Sequence, residues 1–238
     1  MRITRFLFLT TLLAVVVHSP ISAQENLIKS DFPTSDYDSL LKKKLVPEKM
    51  TWGYVFIPSF EPEYSIICVS KNNETLLIYN KPDISIWYDI QEQMWVEDSV
   101  YTIGTPPNTF KATRMRPSGV KYNEAKIHAK MSSDTLVISK SLVDSLNRLM
   151  RQVIDGAKTK ETISTTGVGV GEVYVTSEII HLDGTTYVFL YDGKAAECWS
   201  PNKDTYCYKL ISLMDSIRNA IINNDAGQIK VGELLKVQ

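Results

Sequence analysis

Few side chains in this 238-residue chain have the type and spacing to do chemistry. Histidine occurs only at positions 18, 128 and 181. No His-Glu-x-x-His, His-x-x-x-His or Cys-x-x-Cys pair occurs, so the chain carries no local metal-ligating motif. His128, between Lys126 and Lys130, reads as a solvated ring. His181 lies two residues before Asp183. A thiol nucleophile would need Cys68 or Cys198 beside His181, and nothing in the spacing brings them together. Gly167, Gly169 and Gly171 form a glycine run, but a strand pattern follows it. A phosphate cradle needs a helix N-terminus there. No Gly-x-Ser-x-Gly elbow and no P-loop occur. The sequence therefore assigns no catalytic residue, no metal ligand and no cofactor.

Carboxylates are plentiful, among them Glu61, Glu63, Asp89, Glu92, Glu97 and Asp98. Paired carboxylates could serve a glycosidase, yet no spacing selects two of them, and such an array reads as solvated surface. The aromatic residues Trp87, Tyr88, Trp95 and Tyr101 are a different matter. Exposed, they would form a stacking platform for a ligand; turned inward, they would fill a core. Aromatic residues more often fill a core, but the uneven period of 84–103 adds some weight to the platform, since core strands pattern more cleanly. Asn73-Glu74-Thr75 is a glycosylation sequon, relevant only in a eukaryotic source.

The three cysteines are Cys68, Cys198 and Cys207. Cys68 lies among Ile66, Ile67 and Val69 and reads as core. Cys198 and Cys207 flank a reversal at Pro201 to Asp204, which brings them within reach of a disulfide. The alternative is three reduced cysteines acting as small hydrophobes.

The elements that must position these residues follow from period and punctuation. Residues 24–34 are polar without a period and read as a flexible tether. Ser35 caps a short helix to Leu45, ended by Pro47. Residues 52–80 read as strands, with a hairpin turn at 71–74. Residues 84–103 are ambiguous, and 106–108 form a break. Ala125, Ile127, Ala129 and Met131 alternate with Lys126, His128 and Lys130, which predicts a half-buried sheet strand. Residues 140–155 carry an apolar stripe at helical period, with Gly156 placed for a left-handed cap. Residues 156–171 read as a loop or a boundary between two lobes. Asp183-Gly184 and Asp192-Gly193 predict a meander of strands 173–182, 185–191 and 194–200. A second amphipathic helix spans about 205–223. The wording Leu142-Val143-Asp144-Ser145-Leu146 is echoed at Leu213-Met214-Asp215-Ser216-Ile217. Convergence of amphipathic helices explains this more simply than duplication.

The fold class expected is α+β: mainly antiparallel sheet packed against two amphipathic helices, as one domain over 35–238. At the N-terminus, Arg2 and Arg5, the apolar run Phe6–Val17 and the small residues Ile21-Ser22-Ala23 make the three-part plan of a signal peptide over 1–23. The apolar run is too short for a permanent anchor. The protein is thus expected to be exported, to the periplasm or beyond. Past the leader, 24 basic residues face 27 acidic ones. That near-neutral balance offers nucleic acid no basic field. No later stretch is long and apolar enough for an integral membrane segment. The reading that follows is an exported, non-catalytic binding or interaction module with a protein or glycan ligand. Its rival is a hydrolase of an extracellular polymer, which would need a cleft with two facing carboxylates.

Overall fold

A computed structural model of the chain describes residues 27–105, 108–122, 124–159, 184–232 and 234–236. The expected leader at 1–23, the glycine run, His181 and the predicted strand 173–182 lie outside these residues. The described residues form an α+β fold: a seven-stranded antiparallel sheet, a separate two-stranded ribbon and four helices. In chain order the elements are β1 (Ile28–Ser30), α1 (Asp36–Leu45), β2 (Trp52–Pro58), β3 (Tyr64–Lys71), β4 (Glu74–Pro82), α2 (Ile86–Met94), β5 (Trp95–Thr105), β6 (Asn108–Pro117), β7 (Met131–Ile138), α3 (Lys140–Gly156), β8 (Thr185–Tyr191), β9 (Lys194–Trp199) and α4 (Tyr206–Ile222). The large sheet runs β1-β9-β8-β2-β3-β4-β7.

Alternation along the strands sends each sheet face to its own core. Trp52, Tyr54, Ile66, Cys68, Leu77 and Phe189 pack against the apolar stripes of α3 and α4. Gly53, Val55, Ile67, Val188 and Leu190 point the other way, toward α1, α2, Phe32 and Ala129. Gly53 is small for a reason: a Cβ there would lie 3.0 Å from the Ile67 side chain. Ser35 closes a capping box on α1 with Asp38. Asn72 and Asn73 (φ 52° and 64°) and Asp192 and Gly193 (φ 51° and 72°) supply the positive φ values that tight hairpin turns require.

Several expectations need correction. The tether is structured from Leu27 onward: Leu27 and Phe32 are buried, and β1 pairs with β9. Three apolar residues in so short a stretch show no period, although they suffice to dock an edge strand. The middle strand β8 is flanked by β9 and β2 rather than by two strands adjacent to it in the chain. The consecutive three-stranded meander of the sheet is β2-β3-β4. Gly156 is the last helical residue rather than a left-handed cap, and Ala157 in extended conformation ends α3.

The segment 125–130 alternates between inner and exposed positions as read, but it belongs to no sheet. Side chains stand in for the missing strand. Lys126 N–H donates to Gln93 Oε1 (2.9 Å), and Gln93 Nε2 donates to Lys126 O (2.6 Å). His128 N–H and Ala129 N–H donate to Asp89 Oδ2 (2.6 and 3.0 Å), and Lys130 N–H donates to Asp83 Oδ1 (2.8 Å). Period two in the sequence reports one face turned inward, and that condition is met here without a ladder. Met131, expected inside, begins β7 and is exposed.

Candidate functional site

At the end of the sheet where β2 stops and β8 begins, Ile57, Thr186 and Trp199 share one rung across β2, β8 and β9. Parity places this rung on the face toward α1 and α2. The loop after β2 contributes Pro58, Ser59 and Phe60; α1 contributes Tyr37; α2 contributes Trp87 and Tyr88. Together with Gly184 these ten residues line a notch of about 420 Å³. None carries a charge. Four of the rings are open to solvent: Phe60 at 73%, Tyr88 at 46%, Trp199 at 39% and Trp87 at 37% exposure.

The rings are held from behind. Glu63 is wholly buried, and its carboxylate accepts hydrogen bonds from Ser85 Oγ (2.9 Å), Ile86 N–H (2.8 Å), Trp87 N–H (3.1 Å) and the Tyr37 hydroxyl. Ser85, the N-cap residue of α2, makes no capping bond of its own. Glu63, in the loop just before β3, therefore caps the helix from a distant part of the chain, placing its carboxylate at the positive end. It fixes Tyr37 and Trp87 together, and their rings meet edge to face at 5.1 Å. Burial, then the adjoining Glu63 carboxylate, pushes the Tyr37 hydroxyl pKa well up, so that ring stays neutral.

The opposite wall depends on Gly184. Its φ is +142°, and a Cβ there would fall 2.5 Å from the Trp199 indole. Ser59 staples this wall to the loop: its Oγ donates to Gly184 O (2.6 Å) and accepts from Gly184 N–H (3.0 Å).

The four aromatic residues read from sequence do not share a surface. Trp87 and Tyr88 line the notch. Trp95 and Tyr101 lie on the β5–β6 ribbon, which stands off as a two-stranded arm. The register shift between Glu97 and Ser99 leaves Trp95 and Tyr101 on opposite faces of that ribbon, because they oppose Pro117 and Ala112 of the uninterrupted β6 alternation. Trp95 Nε1 donates to Gln91 Oε1 (2.9 Å) at the arm's base. Sequence reasoning missed Tyr37, Phe60, Gly184 and Trp199 in the lining, and the role of Glu63 behind it. An apolar ring inside the turn-rich Ser59–Pro62 stretch was the one signal available.

The carboxylates separate into two kinds. Glu63 and Asp89 are buried, contrary to the solvated surface expected of the acidic array. Burial raises the Asp89 pKa, but the Ala129 and His128 N–H donors and the His128 ring outweigh it, so the net shift is downward. The His128 ring is largely exposed, as read, with Nδ1 3.0 Å from Asp89 Oδ1. Asp98 lies on the arm near Arg116 (3.5 Å) and Arg114 (3.9 Å). No two carboxylates line the notch.

Cys68 is core, and burial pushes its thiol up to about 12. Cys198 and Cys207 are also buried, as free thiols hydrogen-bonded to one another. That bond raises the Cys198 pKa, with burial adding to the rise, and lowers that of Cys207 against the opposing effect of burial. Among the described residues no group of three His, Cys, Asp or Glu side chains could hold a metal ion, and no helix is long and apolar enough to cross a membrane. A second, larger groove of about 520 Å³ lies along β1. Its lining mixes Lys29 and Lys194 with Asp31 and Asp155, and it presents no exposed ring. The notch is the better site, because rings held rigid at the surface are what a ligand can stack upon. No family model, curated protein or solved structure matches the chain.

Proposed function

We propose that the protein is an exported, non-catalytic binding module of the cell envelope or extracellular space, and that it takes a neutral glycan chain in the aromatic notch. One observation carries this reading: ten uncharged lining residues present four open rings together with the hydroxyl-bearing Ser59 and Thr186. Sugar rings offer apolar C–H faces that stack on Trp and Tyr, and hydroxyls that Thr186 and the tyrosine hydroxyls could meet. An uncharged lining favours a ligand without phosphate or carboxylate. A hydrolase would need two facing carboxylates at the site. Glu63, the acid behind the wall, is spent on four donors and has no open face. The leader plan of residues 1–23 supports the extracellular setting.

Affinity electrophoresis through gels cast with neutral polysaccharides tests the binding. Retardation that disappears in Trp199→Ala and persists in Trp95→Ala supports the reading. No retardation in any neutral glycan, or release of reducing ends from one, would overturn it. Mass spectrometry of the native protein tests the address, with an N-terminus expected at or near Gln24.

A further inference from the structure

The arm raises a question separate from the notch. It is two strands and nothing more, and neither outer edge has a partner strand among the described residues. A lone two-stranded ribbon is marginally stable in water. Yet this one exposes Val100, Tyr101, Ile103, Phe110 and Met115. Apolar side chains gathered on one projection mark a contact surface.

The two edges differ in a way that selects the partner. β6 carries Lys111, Arg114 and Arg116, and two copies paired along it would bring these cations together. On β5, the stretch from Ser99 to Thr105 has no charge and no proline, which leaves that edge open to another strand.

We infer that the arm is a dimerisation element: β5 pairs antiparallel with β5 of a second copy, about a two-fold axis at Thr102. That register is self-complementary. It sets Tyr101 opposite Ile103, Val100 opposite Gly104 and Ser99 opposite Thr105, each pair twice by symmetry, with Thr102 opposite its own copy. Aromatic–branched and hydroxyl pairs are the favourable cross-strand combinations. Tyr101 and Ile103 already share a ribbon face with Ala112 and Phe110, so the pairing joins two small apolar faces into one. No like charges meet.

Two variants test this, read by sedimentation velocity from nanomolar to high micromolar protein. Within its own ribbon Thr102 opposes Lys111. Thr102→Glu therefore suits the isolated arm but sets two carboxylates against each other across the axis. It should weaken the dimer at least tenfold while leaving unchanged the circular dichroism spectrum and, at dilute protein where both are monomeric, the melting temperature. Thr102→Cys should give a covalent dimer under mild oxidation, because directly opposed residues lie about 4.5–5.5 Å apart, within disulfide range. Lys111→Cys, facing the other edge, should not. The three native thiols are buried and do not compete. A wild-type protein that stays monomeric throughout, a Thr102→Glu variant that dimerises as well as wild type, or equal crosslinking by the two cysteine variants would each overturn the inference.

Discussion

The notch and the arm both expose aromatic rings, but they hold them by different means. In the notch three of the rings are anchored, Tyr37 and the Trp87 backbone to the buried Glu63 and Trp199 against the bare backbone of Gly184. On the arm the rings ride a ribbon with no core of its own. A rigid set of rings is pre-organised for a ligand and loses little entropy on binding. A ribbon of exposed rings awaits a partner that completes it. The contrast separates the proposed recognition site from the inferred association surface, although Trp87 and Trp95 are only eight residues apart.

The largest expected effect is at the anchor. Glu63→Ala strands four buried or half-buried donors and should cost about 3–5 kcal/mol in denaturant unfolding, with glycan binding lost at the same time. If Glu63→Ala unfolds like wild type, the notch is not held from behind as described. Leu146→Ala in α3 gives the scale for an ordinary core loss, about 2–4 kcal/mol, since Leu146 is wholly buried. A loss below about 1 kcal/mol would mean that the α3 stripe does not sit against the sheet.

Gly184→Val should cost about 1–2 kcal/mol, because a branched residue tolerates this φ poorly. It should also displace Trp199 and abolish binding, whereas Gly193→Val should cost a similar amount and leave binding intact. A smaller effect comes from Asp89, the strap between α2 and residues 128–129. Its folded pKa lies below the ordinary carboxyl value, so its contribution is present at neutral pH and is lost as pH falls below about 4. Asp89→Asn should flatten that part of the stability profile; an unchanged acid limb would contradict the assignment. Least of all, Phe110→Ser on the arm should shift unfolding by less than about 0.5 kcal/mol at dilute protein. A larger loss there would give the arm a core it is not described as having.

The cysteine pair turns on chemistry rather than placement. Cys198 and Cys207 are neighbours across the turn at Pro201, as their spacing predicts. Peptide mapping without reductant should recover them linked in protein isolated from an oxidising compartment, and free in protein kept reduced.

Much of the frame was legible in the residues. Apolar stripes at helical period placed α3 and α4, Ser35 opened α1, and the Asn72-Asn73 and Asp192-Gly193 pairs marked hairpin turns. The failures have physical causes. Residues 125–131 alternate because one side faces a core, and alternation is silent on whether a strand or the side chains of α2 satisfy the backbone. Residues 84–103 looked irregular because a helix gives way to a strand at Trp95, and a register shift three residues later reverses the faces. The notch was invisible because Tyr37, Phe60, Trp87, Gly184 and Trp199 are joined only by strand order, and a buried Glu63 looks like any surface acid until its four donors are known.

The chain has four tryptophans, and they sample every environment at issue: Trp52 in the core, Trp87 and Trp199 in the notch, Trp95 at the base of the arm. Their indole N–H resonances, assigned by single Trp→Phe variants, can be followed while a neutral oligosaccharide is titrated in. The Trp87 and Trp199 signals should move together with one dissociation constant, while Trp52 and Trp95 stay still. Movement of Trp95 instead, or four stationary signals across a panel of neutral oligosaccharides, would contradict the assignment of the notch as the binding site.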